Sequence, residues 1–437
     1  MIAFFIDNNY YMYMKKRTFI ISLLSLLLLT SCGKYYDNVD SVYPIGLGNE
    51  KNTIVALDCD KEILMPFDTS IFLKRYQKNR DFLEIFEEFN DNYQLLHAYF
   101  DTHYHYEVNG KLLNNLTVIN ENYGSGKYLE VPFELYDILQ KSVELSILTE
   151  GKFNVAIGEL ASLWNEYITN SKDNYSQTKP SDSEIQNALN NTPEYSDLEN
   201  ILLFKEENEK YYINFNKVDK YSKVSLSLGA VGKGYANDLM EEKLNGEYQG
   251  YISAGDSLIT MLSNSIGKTW NFSLTNPLYM KKLKMNEDFY SFNAQEIKLK
   301  KSDKFSISTS GDYERFFYDD EKNLYHHIIN PIDGYPSGFN LTSSDKYFTA
   351  ISAISSKGLY ADALTTALMN MSLEEGKKTV KELEKKYSLN IYPIWMEEKD
   401  NKIIAYVDNK LQENVFLDSG EQGKELVTEL QFIELNH

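Results

Sequence analysis

The sequence predicts an α+β fold in which mixed or antiparallel sheets pack against helices. Amphipathic helical segments come first, and short strand-like segments then follow in runs with helices between them. This order differs from the strict strand–helix alternation of parallel α/β folds. Of the 437 residues, 43% are hydrophobic and 14% aromatic. A chain of this size and composition can bury a large core, in one large or two moderate domains.

The N-terminal residues have the pattern of a secretory signal. Lys15, Lys16 and Arg17 precede a short apolar run, and Leu-Thr-Ser-Cys ends it at Cys32. A basic region, a short apolar core and a small-residue cleavage site are typical of a signal peptide, and the run is too short to span a bilayer. The cysteine resembles that of a bacterial lipobox, so we expect Cys32 to carry a lipid. An ordinary signal peptide with an incidental cysteine is the alternative.

This signal divides the chain into three predicted parts. They are a signal peptide over 1–31 (with 1–13 a gene-model extension before the true start at Met14), a lipid-anchored tether over 32–52, and a folded domain over 53–437. The predicted location is the cell envelope, on the extracytoplasmic side of the membrane. The net charge of −20 argues against a nucleic-acid partner and against charge-driven binding to anionic lipid. Membrane attachment would therefore depend on the lipid.

The spacing of apolar residues, together with capping and turn residues, predicts the helices and strands of the folded domain. Helices are predicted at 80–97, from Pro132, from Ser181 to Leu189 behind a Ser181–Glu184 capping box, and at 232–245, 360–371 and 373–387. Strands are predicted at 211–215, 223–228, 250–254, 257–262, 270–275 and 304–308. A hairpin over 390–407, turned at 398–401, is expected to close the fold.

A glycine-rich segment, Leu-Ser-Leu-Gly-Ala-Val-Gly-Lys-Gly-Tyr-Ala over 226–236, joins a predicted strand to a predicted helix. Such a turn collects free backbone N–H groups at a helix N-terminus, where phosphate binds, and Lys233 adds a positive charge. The spacing matches neither the dinucleotide fingerprint nor the P-loop. Taken alone, a tight turn without a ligand is the simpler interpretation.

Asp362 and Thr366 lie four residues apart on a predicted helix and share one face. A carboxylate and a hydroxyl suit a hard cation such as Mg²⁺, which takes water and substrate phosphates as its other ligands. On spacing alone, an ordinary helix face explains the pair better. We expect Asp362 to be exposed, so that its replacement would leave the fold intact.

Adjacent histidines follow a cluster of hydroxyl residues. Ser-Ile-Ser-Thr-Ser-Gly-Asp covers 306–312, and His326 and His327 run into Asn-Pro-Ile-Asp-Gly-Tyr-Pro. Alternation along a strand would place the imidazoles on opposite faces, so that only one points into a site. Surface histidines on a hairpin are the alternative.

Together these segments resemble the signatures of the ApbE family, whose members are FAD:protein FMN transferases. The resemblance implies an ApbE (T-fold-like) architecture and FAD as a substrate. It also implies a Mg²⁺ ion held by Asp362, Thr366 and the backbone carbonyl of Ala230. The implied flavin-binding residues are Phe67, Tyr99, Lys152, Phe153, Asn154, Ser227, Lys233 and His327. Ser227 and Asn154 stand where the family usually has aspartate.

The implied reaction moves the FMN moiety of FAD to a Thr or Ser hydroxyl of an acceptor flavoprotein and releases AMP. Such a transfer depends on charge neutralisation and in-line placement. His327 is the candidate general base, with His326 as the other candidate. Two alternatives use the same residues: an FAD pyrophosphatase that forms FMN and AMP, and a lipoprotein that binds flavin without turnover.

Overall fold

The computed structural model describes 82–171, 175–244, 248–255, 257–262, 269–285, 294–301, 304–340, 346–418 and 426–435, together with short strands at 2–3, 39–44, 54–56 and 69–75. Apart from the strand at 2–3, the predicted signal lies outside the described residues, as do Cys32 and Phe67.

The helices are amphipathic segments set between the strands. They are α1 (Phe82–Phe100), α2 (Leu116–Glu121), α3 (Phe133–Leu148), α4 (Gly158–Asn170), α5 (Asp182–Asn190), α6 (Leu198–Ile201), α7 (Gly232–Leu244), α8 (Pro277–Lys284), α9 (Gly358–Met369) and α10 (Leu373–Tyr387). The predicted capping box is present on α5, where Ser181 and Glu184 exchange side-chain-to-backbone bonds. Local sequence thus predicts six of these described helices, namely α1, α3, α5, α7, α9 and α10. It does not predict α2, α4, α6 and α8.

The strands form one large sheet and several small ones. They are β1 (Ile2–Ala3), β2 (Val39–Pro44), β3 (Ile54–Ala56), β4 (Thr69–Arg75), β5 (Tyr106–Val108), β6 (Lys111–Leu112), β7 (Leu129–Val131), β8 (Leu202–Glu207), β9 (Lys210–Phe215), β10 (Tyr248–Ala254), β11 (Leu258–Met261), β12 (Trp270–Leu274), β13 (Ile297–Lys301), β14 (Phe305–Gly311), β15 (Phe316–Tyr318), β16 (Leu324–His326), β17 (Phe348–Ser355), β18 (Ile391–Lys399), β19 (Lys402–Asp408), β20 (Val415–Leu417) and β21 (Thr428–Ile433).

Within the described chain, the large sheet has nine strands in the order β2-β4-β10-β11-β14-β17-β18-β19-β21. Its strand pairs are antiparallel except for β19 and β21, which are parallel. The predicted α+β class with mixed and antiparallel sheets is confirmed. The predicted hairpin is β18 and β19, turned at Asp400 and Asn401, but it does not close the sheet because β21 adds beyond it.

Alternating side chains of the large sheet enter two cores. On β18, Trp395 packs with α7, α9 and α10 on one face, while Ile394 and Met396 pack on the other with β12 and β13. This is the period-two pattern of a strand buried on both faces. Helices α7 and α9 therefore lie together on one face, over the middle of the sheet.

The strand predicted at 223–228 is wrong. The segment is extended, but it joins no sheet in the described chain, because its backbone bonds to the entrance of α4. Gly158 N–H donates to the Ser225 carbonyl at 2.9 Å, and Ser227 N–H donates to the Val155 carbonyl at 2.8 Å. This pairing places the glycine-rich turn next to the 149–158 segment.

Candidate functional site

The site is built where α7 crosses α9 with almost no side chain between the backbones. A Cβ atom on Gly234 would lie 2.3 Å from the Gly358 carbonyl oxygen. One on Gly358 would lie 2.8 Å from the Gly234 carbonyl oxygen. Only glycine allows so close an approach. The crossing brings the glycine-rich turn and the Asp362–Thr366 face together from distant parts of the sequence.

Asp362 is the side chain that joins the two helices. Its Oδ2 accepts from the Gly234 amide at 3.1 Å, across 128 residues of sequence. Its Oδ1 accepts from the Ser308 hydroxyl at 3.0 Å. The expectation of an exposed carboxylate is wrong, because only 5% of Asp362 is accessible. Burial raises its pKa, and the nearby charge of Lys233 and the two hydrogen bonds oppose that rise.

The remaining predicted cation ligands are the Ala230 carbonyl, four residues before Gly234, and the Thr366 hydroxyl, four residues after Asp362. The Gly232 amide donates to the Leu228 carbonyl at 2.8 Å and the Tyr235 amide to the Val231 carbonyl at 3.0 Å, whereas the Gly234 amide donates to Asp362. The carbonyl of Ala230, just before that turn, therefore has no helical partner. Thr366, one turn after Asp362, is half-buried on α9.

These oxygens suit a hard cation that takes few of its ligands from the protein. A carboxylate has about four acceptor positions, and the bonds to Gly234 and Ser308 leave the others available. The described residues contain no group of three or more His, Cys, Asp or Glu side chains that could hold a metal. A cation here would rest on one carboxylate, a hydroxyl and a carbonyl, with water and phosphate oxygens completing its shell, as Mg²⁺ accepts.

The two histidines have different surroundings, since His326 is buried and His327 is half-buried. His326, at the end of β16, has Nε2 2.9 Å from the Ser337 carbonyl, and its Nδ1 accepts from the Ile328 amide at 3.3 Å. His327 Nδ1 is buried and has no hydrogen-bond partner among the described residues. His326 is thus held by two hydrogen bonds, whereas the buried Nδ1 of His327 has none among the described residues.

The charges around His327 favour its neutral form. Burial lowers the pKa of His327 well below its ordinary value, and the positive charges of Arg315 and Lys233 add to the effect. Lys233 lies at the start of α7, where its Nζ hydrogen-bonds the Ser257 hydroxyl. Because Lys233 also acts on Asp362, one cation influences both the carboxylate and the imidazole.

The predicted flavin-contacting segment follows α3, and its side chains are largely committed to the protein. Phe153 and Asn154 are buried. The Asn154 amide group donates from Nδ2 to the Pro193 carbonyl at 2.7 Å and accepts on Oδ1 from Ala156 N–H at 2.9 Å. Lys152 is half-buried. Asn154 therefore fixes the turn after Phe153 with both of its polar atoms.

Ser227 and Tyr99 remain partly accessible. Ser227 Oγ accepts a long bond of 3.4 Å from the Gly229 amide, so most of its bonding capacity remains available. Tyr99, on α1, packs at the edge of the large core. Burial and the neighbouring Glu134 raise its pKa to about 12.

Sequence reasoning missed Asn370, which connects the predicted segments. Its Nδ2 donates to the Lys152 carbonyl at 3.1 Å and to the Ile329 carbonyl at 3.2 Å. Its buried Oδ1 has no partner among the described residues. It faces a cavity of about 420 Å³ that Lys152 and Asn330 also line. Its place one helical turn after Thr366, on the same face, is the signal that was overlooked.

Known proteins resemble this chain in sequence. A sequence model described as the ApbE family matches residues 67–389. A Klebsiella pneumoniae protein named FAD:protein FMN transferase is 24% identical over 270 residues, which cover 61% of this chain and 72% of that protein. An Escherichia coli K12 protein of the same name is 25% identical over 249 residues, or 56% of this chain and 61% of that one.

Solved structures share the fold. The apo form of the Pseudomonas stutzeri flavinyl transferase ApbE superposes with a TM-score of 0.58 at 16% identity. The match covers 83% of this chain and 96% of that one. At this identity the likeness shows a shared architecture alone.

Proposed function

Because the chain belongs to the ApbE family, we propose that it transfers the FMN moiety of FAD to a Thr or Ser hydroxyl of an acceptor protein, with Mg²⁺, and releases AMP. The bond between the Gly234 amide and the Asp362 carboxylate is the observation that carries this proposal. It joins a glycine-rich helix N-terminus, suited to phosphate, to a carboxylate suited to a cation. A diphosphate needs both.

In the proposed reaction the acceptor hydroxyl oxygen attacks the FMN phosphorus. A new phosphoester bond forms, the phosphoanhydride bond to AMP breaks, and AMP leaves with the bonding electron pair. The hydroxyl proton passes to the imidazole of His327. The lowered pKa keeps this imidazole neutral, and therefore able to accept a proton, at pH 7.

The protein's other groups would bind and orient the diphosphate. Asp362, Thr366 and the Ala230 carbonyl would hold Mg²⁺, whose chemistry is charge neutralisation at the phosphate oxygens. The Lys233 ammonium lies close enough to affect both Asp362 and His327, so it can attract the same diphosphate. Both charges would favour the AMP leaving group, because negative charge builds up on it as the bond breaks.

The test is a transfer assay with separate readouts for acceptor and water. The protein is mixed with FAD, Mg²⁺ and an acceptor domain containing the target threonine, and covalent flavin fluorescence of the acceptor and AMP release are followed together. Equal amounts of labelled acceptor and AMP are the expected result. AMP and FMN without labelled acceptor would instead indicate the pyrophosphatase, and flavin binding without AMP would indicate a binding lipoprotein.

We also propose that the protein is anchored through a lipid on Cys32 at the extracytoplasmic side of the membrane. The supporting observation is the signal-like sequence that ends at this cysteine. No helix in the described part of the chain is long and apolar enough to cross a membrane. Cys32→Ala should release the protein from membranes. A variant that still sediments with membranes after a high-salt wash would contradict the anchor.

A further inference from the structure

Helix α9, which carries Asp362 and Thr366, begins without a capping side chain of its own. Its N-cap residue is Lys357, which makes no side-chain cap bond. Lysine is a poor choice at this position, since the first amides of a helix need an acceptor. The helix N-terminus therefore depends on an acceptor from elsewhere in the chain.

Asp238 on α7 supplies that acceptor. Its Oδ1 accepts from the Gly358 amide at 2.6 Å, and its Oδ2 accepts from the Leu359 amide at 2.9 Å. The cap comes from 120 residues earlier in the sequence. Both carboxylate oxygens are used, in the two-bond geometry that fixes orientation as well as distance.

The two helices are thus bonded to each other in both directions. The α7 backbone donates from Gly234 to the Asp362 side chain, and the α9 backbone donates from Gly358 and Leu359 to the Asp238 side chain. Asp238 lies one helical turn after Gly234. With the Gly234–Gly358 backbone contact between them, these bonds leave the crossing little freedom to slide or open.

We propose that Asp238 is a positioning residue for the cation site. It binds no ligand itself, but it sets where Asp362 and Thr366 on α9 stand relative to the Ala230 carbonyl at the start of α7. This inference rests on the proposed function, which assigns those oxygens to Mg²⁺. Outer-shell groups that orient the ligands of a metal commonly change the metal affinity by about 10- to 100-fold when they are replaced.

The experiment compares Asp238→Ala and Asp238→Asn with the wild type and with Glu242→Gln as a matched control. Glu242 lies on the same helix and pairs with Lys357 at 2.6 Å, with its side chain 58% exposed. The control therefore removes a neighbouring carboxylate from the same helix junction without touching the cap. Asparagine keeps the size of Asp238 but offers one acceptor oxygen and turns an NH₂ group toward the other amide.

Two readouts separate positioning from simple stability. Mn²⁺ binding is measured by the loss of the free-ion electron paramagnetic resonance signal, with FAD present and FAD alone subtracted. Amide hydrogen exchange is measured at residues 358 and 359, and circular dichroism verifies the fold. We expect Mn²⁺ affinity to fall about 10- to 100-fold in Asp238→Ala, less in Asp238→Asn, and not in Glu242→Gln, with faster exchange of both amides.

The results that overturn the inference are distinct from those that overturn the function. Faster amide exchange with Mn²⁺ affinity within twofold of the wild type, in both folded Asp238 variants, would make Asp238 a structural cap only. Equal loss of affinity in Glu242→Gln would also overturn the inference, since charge alone would then explain it. A wild-type protein that binds no Mn²⁺ would remove the cation site, and the inference with it.

Discussion

The α7–α9 crossing and the segment around Asn154 both carry residues that sequence resemblance assigns to ligand binding, yet the protein uses them differently. At the crossing, Asp362 accepts one bond on each oxygen and keeps acceptor capacity. In the other segment, Asn154 donates to Pro193 and accepts from Ala156, which occupies both ends of its side chain. A motif predicts where a residue lies in the sequence. The hydrogen bonds that the residue makes in the fold decide whether its side chain can still bind a ligand.

The largest expected effect is at Asp362. Asp362→Asn keeps the size and one acceptor oxygen, but it removes the charge that would hold Mg²⁺. We expect Mg²⁺-dependent turnover to fall by about 10³-fold, in line with several kcal/mol of charge stabilisation. Rates of FAD consumption across a Mg²⁺ series measure this. Because Asp362 is buried, circular dichroism must accompany them, and unchanged activity at limiting Mg²⁺ would reject the role.

Replacing His327 and His326 in turn tests the difference between an imidazole with an unpartnered nitrogen and one with both nitrogens hydrogen-bonded. His327→Gln should slow transfer by about 10²- to 10⁴-fold, the usual contribution of a general base. His326→Gln should instead lower thermal stability, since His326 bonds to Ser337 within the fold.

The pH dependence of transfer follows from the pKa shift at His327. A base acts in its neutral form, which dominates above its pKa. Since burial, Arg315 and Lys233 hold that pKa well below the ordinary value, activity should persist below pH 6.5 and fall only as the pH approaches the lowered pKa. A pH–rate profile with its acid limb centred at 6.5 or higher would contradict this assignment.

Asn154→Asp tests the segment in which the polar side chain already makes hydrogen bonds within the protein at both of its ends. Restoring the family's aspartate would remove the donor to the Pro193 carbonyl and place a carboxylate oxygen against it. We expect the free energy of unfolding to drop by about 1–3 kcal/mol, the cost of an unsatisfied buried group. Urea denaturation measures it. Equal stability would mean that the turn can rotate to satisfy a carboxylate.

Ser227→Asp has the smallest expected effect. In contrast to Asn154, Ser227 is partly exposed and its Oγ makes one long hydrogen bond among the described residues. A carboxylate there would add an acceptor for flavin, worth about 0.5–1.5 kcal/mol. FAD binding should tighten roughly 2- to 10-fold, measured by flavin fluorescence titration with Asn154→Asp alongside. No gain would mean that the site is built around the serine.

The sequence predicted what local rules control. Helix α5 formed where the Ser181–Glu184 box predicted it, because both capping bonds are made within one turn. The 223–228 segment was taken for a strand because its apolar alternation is real, but its partners are Val155 and Gly158. No local pattern reveals which backbone an extended segment will meet.

For the candidate site, the sequence names residues but gives neither their burial nor their hydrogen-bond partners. Asp362, Lys233 and His327 were named from motifs, and the structure brings their charges within reach of one another. The burial of Asp362 could not be foreseen, because it comes from Gly234 and Ser308 in other parts of the chain. Asp238 and Asn370 bond to backbone groups of distant segments, which composition does not reveal. For Asn370, the one sequence signal is its spacing of one helical turn after Thr366.

The cap on α9 also has a consequence for the order of folding. Asp238 meets Gly358 across 120 residues, and most strands of the large sheet lie between them or beyond. Closing so long a loop costs entropy that only those later strands can repay, so the contact belongs late in folding. A chain that stops short of Gly358 has its glycine-rich turn but no opposing helix. A partly synthesised chain would therefore lack the α7–α9 crossing, and activity would appear only after α9 had been made.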